Sequence, residues 1–219
     1  MSARLTQMPK PEAEQFEGER KLFLVPTFLI PANIPDDGQR LLESYWSGVR
    51  DHLENLERSL GRASHVFHEI VYSGGDDGLK MVLEMNPKGY SFIQAMCKSD
   101  STLEATEDRE LVEESIDWQR CLTFGLISQR VISMAMEGYQ QATKGRFEHI
   151  GKRIDETLQK GESGVLFIRE DHQVQFPSDI KVFYVAPPSL DTLKRWISDQ
   201  MRAPAAPPPG PAEAPESSE

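Results

Sequence analysis

The chain has 219 residues, of which 38% are hydrophobic and 27% charged, with a net charge of −11 and a pI near 5.0. That size fits one globular domain with tails and a core that needs no covalent staples. The acidic balance argues against sequence-independent affinity for DNA or RNA, which requires a clustered positive surface. The densest basic group, Lys144, Arg146, Lys152 and Arg153, reads as a solvated helix face. Cys97 and Cys121 are the only cysteines and lack metal-ligand spacing, so both read as reduced side chains in apolar helical settings. Residues 1–20 are polar and acidic with no apolar leader. No run approaches the roughly eighteen apolar residues of a membrane span, so a cytoplasmic location with no membrane partner is expected.

Taken in chain order, composition sets 1–20 apart as a disordered tail, 21–202 as the folded domain and 203–219 as a disordered Pro-rich acidic tail. Residues 21–27, continuing to Ile30, are a β-rich run broken by Pro26 and Pro31, which predicts an edge strand or extended entry. From Gln39, the series Leu42, Tyr45, Trp46, Val49, Leu53, Leu56 and Leu60 keeps helical spacing, and Gly61 supplies the stop. Residues 63–72 alternate as a strand and end in the turn Ser73-Gly74-Gly75. A short helix over 77–84 follows. Asn86-Pro87 then places a cap and a first-turn proline before a helix to about Lys98.

Residues 102–106 read as a short strand running into Glu107-Asp108-Arg109. The helical stretch from 110 to 158 carries Gly125, Gly138 and Gly145 as interruptions. Two apolar strands follow, 165–168 and 180–185, before a last helix capped by Ser189. Strands separated by helices of this length predict an α/β fold: a single three-layer domain, with a mostly parallel sheet of about five strands and helices on both faces.

His65 and His68 lie three apart on a strand and therefore point to opposite faces, so they cannot share one ion. Glu69, at the strand end beside the glycine turn, is the stronger candidate. Glu107 and Asp108 stand at a helix N-terminus, where carboxylates complement the dipole. A catalytic role would need one of them to lean into the cleft at the strands' ends. Arg146 and His149 are three apart on one helix face and could meet an anion together. His172, in Arg169-Glu-Asp-His172 just past an apolar strand, is placed where open α/β sheets carry their sites, and could serve as base or ligand. No G-x-G-x-x-G, G-K-[ST] or G-x-S-x-G motif is present, which argues against a nucleotide site and against a serine nucleophile.

The order of Glu69, Glu107-Asp108-Arg109, Arg146 and an apolar strand ending in His172 resembles the TraB superfamily, with its erythromycin-esterase and haem-uptake relatives, over roughly residues 62–186. The resemblance implies an α/β fold and a metal-dependent hydrolase. Glu69, Asp108 and His172 would hold a divalent metal ion, Glu69 or His172 would take a proton from water, and Arg146 would stabilise developing negative charge. The chain lacks the superfamily's glycine-led histidine turn and its early Gly-x-x-His or Gly-x-x-Glu motif. Since glycine permits close backbone approach, those departures make an inactive descendant the companion expectation. A second resemblance covers the run from Arg146 through Gly164-Val-Leu-Phe-Ile168, which is similar to the third domain of archaeal and eukaryotic release factors. It implies a non-catalytic binding module for ribosomes or protein partners, using the face of Lys144, Arg146, Lys152 and Arg153.

Overall fold

The computed structural model describes residues 13–28, 30 and 34–202. Five strands form one parallel sheet: β1 (Arg20–Thr27), β2 (Ala63–His68), β3 (Thr102–Leu103), β4 (Ser163–Arg169) and β5 (Ile180–Tyr184), in the order β3-β2-β4-β1-β5. Among the described residues, six α-helices surround it: α1 (Asp36–Leu60), α2 (Gly75–Met85), α3 (Pro87–Lys98), α4 (Arg109–Thr123), α5 (Gln129–Thr157) and α6 (Leu190–Arg202). The expected three-layer α/β domain is present. Among the described residues, no helix is long and apolar enough to cross a membrane.

Alternation along the strands splits the core in two. Phe23, Val25, Val66, Val165 and Phe167 face α1, α3 and α6, meeting Tyr45, Trp46, Val49 and Leu53 of α1. Leu22, Leu24, Phe67, Leu166 and Ile168 face α5, meeting Phe147, Ile150 and Ile154. Both faces of β4 are thereby buried, which is why its run reads as continuously apolar rather than alternating. From β1 to β2 and on to β3 the chain moves one way across the sheet over the α1 face. From β3 to β4 and on to β5 it returns over the α5 face, as a single hand of crossover requires. The exits of β4 and of its two neighbours therefore diverge, and divergence at the strands' C-terminal ends opens the crevice where such sheets carry ligands.

Four sequence expectations are revised. β1 is an interior strand, paired with β4 on one side and β5 on the other. Pro26 is tolerated because its pairing with β5 ends at Leu24, so on that side its missing N–H forfeits no ladder bond. The carbonyl of Pro26 is taken by the buried Tyr45 hydroxyl. The stretch 110–158 is two helices, broken at Gly125 (φ 69°) as its glycine led one to expect. Gly138 and Gly145 do not interrupt α5; a Cβ at Gly138 would lie 2.3 Å from the Trp118 ring and one at Gly145 would lie 3.3 Å from Leu111, so both let α4 approach closely. Ordered structure begins before residue 20, with a 3-10 turn at Ala13–Phe16 whose Phe16 ring packs edge-on against Phe183 at 5.1 Å. The Ser189 hydroxyl donates to the Ser44 carbonyl of α1. The tail expected over 203–219 lies outside the described residues.

Candidate functional site

At the C-terminal ends of β2 and β4, beside α4 and α5, two glutamates and two arginines meet. Strand β2 stops at His68, and Glu69 still donates its N–H to the Phe167 carbonyl at 2.8 Å, holding it against β4. The next residue, Ile70, has φ 72°. A β-branched side chain in the left-handed region is strained by about 1–3 kcal/mol and persists only where its surroundings over-determine it. Here they do: Ile70 N–H donates to Glu107 Oε1 at 2.6 Å, and Val71 O accepts from both Thr106 and Glu107 N–H. The kink aims Glu69 at α5.

Arg146 of α5 reaches back into that corner. Its Nε and Nη2 donate to the two Glu107 oxygens at 2.6 and 2.7 Å, a bidentate fork. Nη2 also reaches Glu69 Oε1 at 3.3 Å, and Nη1 reaches the Ser115 hydroxyl at 3.3 Å. Glu69 Oε2 accepts the Arg169 backbone N–H at 2.9 Å. Arg169 Nε lies 2.9 Å from Glu69 Oε1 but is poorly aligned for a hydrogen bond, so that contact is charge pairing. The side chains of Arg146, Glu107 and Glu69 are 5%, 0% and 8% exposed, which makes this a buried ionic network. Burial pushes the Glu69 carboxyl above its ordinary range, against the pull of Arg169 and Arg146. Burial works against the Arg146 cation, but its bonds to Glu107 outweigh this and hold it above its usual value.

Beside the network lies a cavity of about 90 Å³, lined among others by Thr27 of β1, His68, Asn86, Ser115, Arg146 and Arg169. His68 is 4% exposed and stacks on Phe167. Its Nδ1 lies 2.7 Å from the Glu69 carbonyl, which can only accept, so Nδ1 carries the proton and Nε2 the lone pair. Burial depresses its pKa to about 4, opposed by the bond to Glu69 O and the charge of Glu107, so the ring is neutral at pH 7. Nε2 is buried without a hydrogen-bond partner, as are Asn86 Nδ2 and Arg169 Nη2. Three cavity-lining residues thus carry unspent polar atoms, where buried groups are otherwise almost always paired.

The predicted residues divide. Glu69 and Arg146 are brought together, and Glu107 is the carboxylate that leans inward. Asp108 instead caps α4, its side chain accepting the Leu111 N–H at 3.1 Å. His172 sits on the β4–β5 link, which has no helix; its Nδ1 accepts the Val174 N–H at 3.3 Å, its ring lies against Phe176, and burial lowers its pKa. His149 is half-buried and forms no pair with Arg146, which is buried in the network. His65 and His68 do face opposite ways, and His65 is held between Glu104 at 2.8 Å and Glu162 at 3.3 Å.

The proposed metal set of Glu69, Asp108 and His172 does not assemble. The Glu69 oxygens are engaged by guanidinium and backbone N–H groups and Asp108 by its helix. Among the described residues, no group of three or more His, Cys, Asp or Glu side chains is gathered that could hold a metal ion. The basic face is likewise divided: Arg146 is buried, Lys144 and Lys152 pair with Glu148 and Glu156, and Arg153 donates to the Ala105 carbonyl.

Sequence reasoning weighed Glu107 beside Asp108 and set His68 aside, and it gave Asn86 and Arg169 no place in the site. Glu107 carried a local signal, its place between a strand and a helix; the others are joined by folding alone. In comparisons with known proteins, the chain matches no family model, no curated protein and no solved structure.

Proposed function

We infer that the chain is a hydrolase of acyl compounds, working in the cavity at the C-terminal ends of β1, β2 and β4. The observation that carries this reading is the neutral, buried His68, which lines that cavity together with Arg169 and whose Nε2 has no hydrogen-bond partner. His68 Nε2 accepts the proton of a water as its oxygen bonds to the substrate's carbonyl carbon. The Arg169 guanidinium stabilises the resulting oxyanion. The bond to the leaving group then breaks, and the leaving group takes the proton back from His68. Glu69, Glu107 and Arg146 position this pair: Glu69 holds the Arg169 backbone through Oε2 and its side chain through Oε1, while Arg146 keeps the two carboxylates from repelling each other. The residues present do not fit a metal, so no step is routed through one.

The test is turnover of short-chain esters and amides by the full chain and by His68→Gln. Loss of about 10²-fold or more in kcat is expected in the variant. Because the base is the neutral imidazole, wild-type activity should hold below pH 6.5 and fall only near pH 4. No turnover by the wild type, or turnover untouched by His68→Gln, refutes the reading.

A further inference from the structure

Past Ser115 on α4, and before Ala135 on α5, no residue of either helix is buried, so the hairpin they form runs out beyond the core. Gly138 against Trp118 and Gly145 against Leu111 hold the two helices close and antiparallel. Gln119 and Tyr139 are the residues nearest the tip that line the cavity at the strands' C-terminal ends. Beyond them the tip carries Phe124 and Ile127, 83% and 98% exposed, with Val131, Met134 and Met136 exposed on the first turns of α5. Large apolar side chains gathered at one projecting end mark a site of interaction. We propose that this tip docks into the interface of an anionic phospholipid bilayer, Phe124 and Ile127 entering the acyl region and Arg120 and Arg130 meeting the lipid phosphates.

Charge selects the partner. The chain carries 35 acidic residues in 219, yet residues 118–136 contain none and include Arg120 and Arg130. That stretch complements an anionic surface although the whole chain stands at −11, because charges farther than about 8–10 Å from the lipid are largely screened. Arg120 is tied to Asp117 only by an exposed contact at 3.2 Å, which a phosphate can replace. Acidic residues resume at Asp117 on α4 and Glu137 on α5. From Asp117 to Thr123, the last residue of α4, is about 9 Å of helix, within the roughly 5–10 Å to which interfacial elements sink. The shape of the apolar surface favours lipid over a protein groove. Met134 and Met136 project about 200° apart around α5, so exposed apolar groups stand on both sides of the helix. A groove takes up one face of a helix, whereas the bilayer surrounds whatever enters it. Interfacial docking needs no spanning helix, and none is present among the described residues.

The experiment is flotation of the full chain with phosphatidylcholine vesicles, prepared with and without about 30% phosphatidylserine. The chain is expected to float with the anionic vesicles and far less with the neutral ones. The double variant Phe124→Ser/Ile127→Ser should lower binding about tenfold or more. Both side chains are exposed, so its urea midpoint should match that of the wild type and exclude a folding defect. Arg130→Ala should weaken binding about fivefold. Leu83→Ser, which removes an exposed apolar side chain from α2, should leave binding as it was. Failure to float with anionic vesicles overturns the proposal, as do equal binding to neutral ones and binding unchanged in the double variant. A chain that stays off vesicles but forms a dimer, dissociated by the double variant, also overturns it and gives the tip to contact between two copies.

Discussion

A guanidinium set between two carboxylates occurs at both ends of this parallel sheet, in opposite surroundings. At the N-terminal end, Arg20 of β1 makes a fork to Asp179 at 2.8 and 2.9 Å and reaches Asp155 at 2.8 Å. Its third nitrogen caps the last turn of α5 by donating to the Asp155 and Leu158 carbonyls. Those two aspartates are 50% and 59% exposed, so water competes for both carboxylates. At the C-terminal end, Arg146 makes the same fork to Glu107 and touches Glu69 in near-complete burial. The first cluster ties β1, α5 and the entry to β5 together at low risk. The second costs desolvation to assemble and more to break, and it stands where the sheet's crevice opens.

Removing each arginine measures that difference. Arg146→Met leaves Glu107 without a counter-charge and Glu69 with Arg169 alone, and should cost about 3–5 kcal/mol by urea denaturation at pH 7. The sign of its pH dependence follows from Glu69. A carboxyl whose folded pKa lies above its unfolded value favours the folded state at low pH and loses that contribution as pH rises through the folded value. The variant's deficit should therefore be smaller at pH 5 than at pH 8. A deficit under about 1 kcal/mol at pH 7 would show that the network is far better hydrated than its burial implies.

His68 sharpens the contrast from the other side. Its folded pKa, about 4, lies below the 6.5 of an exposed histidine, so the unfolded chain binds a proton first as pH falls. Stability should decline between about pH 6.5 and 4, by on the order of 3 kcal/mol from this residue, partly offset by Glu69 with the opposite sign. His68→Phe, which cannot take up the proton, should flatten that acid limb while leaving the rest of the curve in place. An unchanged limb would mean that the imidazole is hydrated.

The fold was far more legible in the sequence than this site. Helix α1 declares itself because its buried Leu42, Tyr45, Trp46, Val49 and Leu53 are all local to one run, and β4 does so through one unbroken apolar stretch. Glu69 and Arg146 were visible as charged residues beside element ends, but their pairing spans 77 positions and no spacing rule reaches that far. His68 was discounted because it points away from His65. That geometry is right, yet it says nothing of a cavity that opens past the strand's end, where residues from both faces can line one space. The interior position of β1 was hidden because Pro26 falls two residues beyond the last pairing with β5, a matter of register.

Arg20→Ala, the counterpart of the first variant, should cost severalfold less than Arg146→Met, and most of its loss should vanish in 1 M salt. What remains there reports the two carbonyls at the end of α5 rather than the ion pairs. A salt-independent loss as large as that of Arg146→Met would erase the distinction between the two ends.

The same contrast recurs one residue apart in Glu107 and Asp108. The first is fully buried on Arg146, and the second faces outward and caps α4. Asparagine caps as well as aspartate, so Asp108→Asn should change stability by less than about 0.5 kcal/mol, while Asp108→Ala should cost about 1 kcal/mol. Glu107→Gln, nearly as conservative in shape, removes the charge that Arg146 is buried against and should be much the more damaging of the two. If Asp108→Asn instead abolished acyl turnover while leaving the unfolding midpoint in place, the carboxylate of Asp108 would have to act in the reaction itself. The cap geometry would then describe only one of its positions.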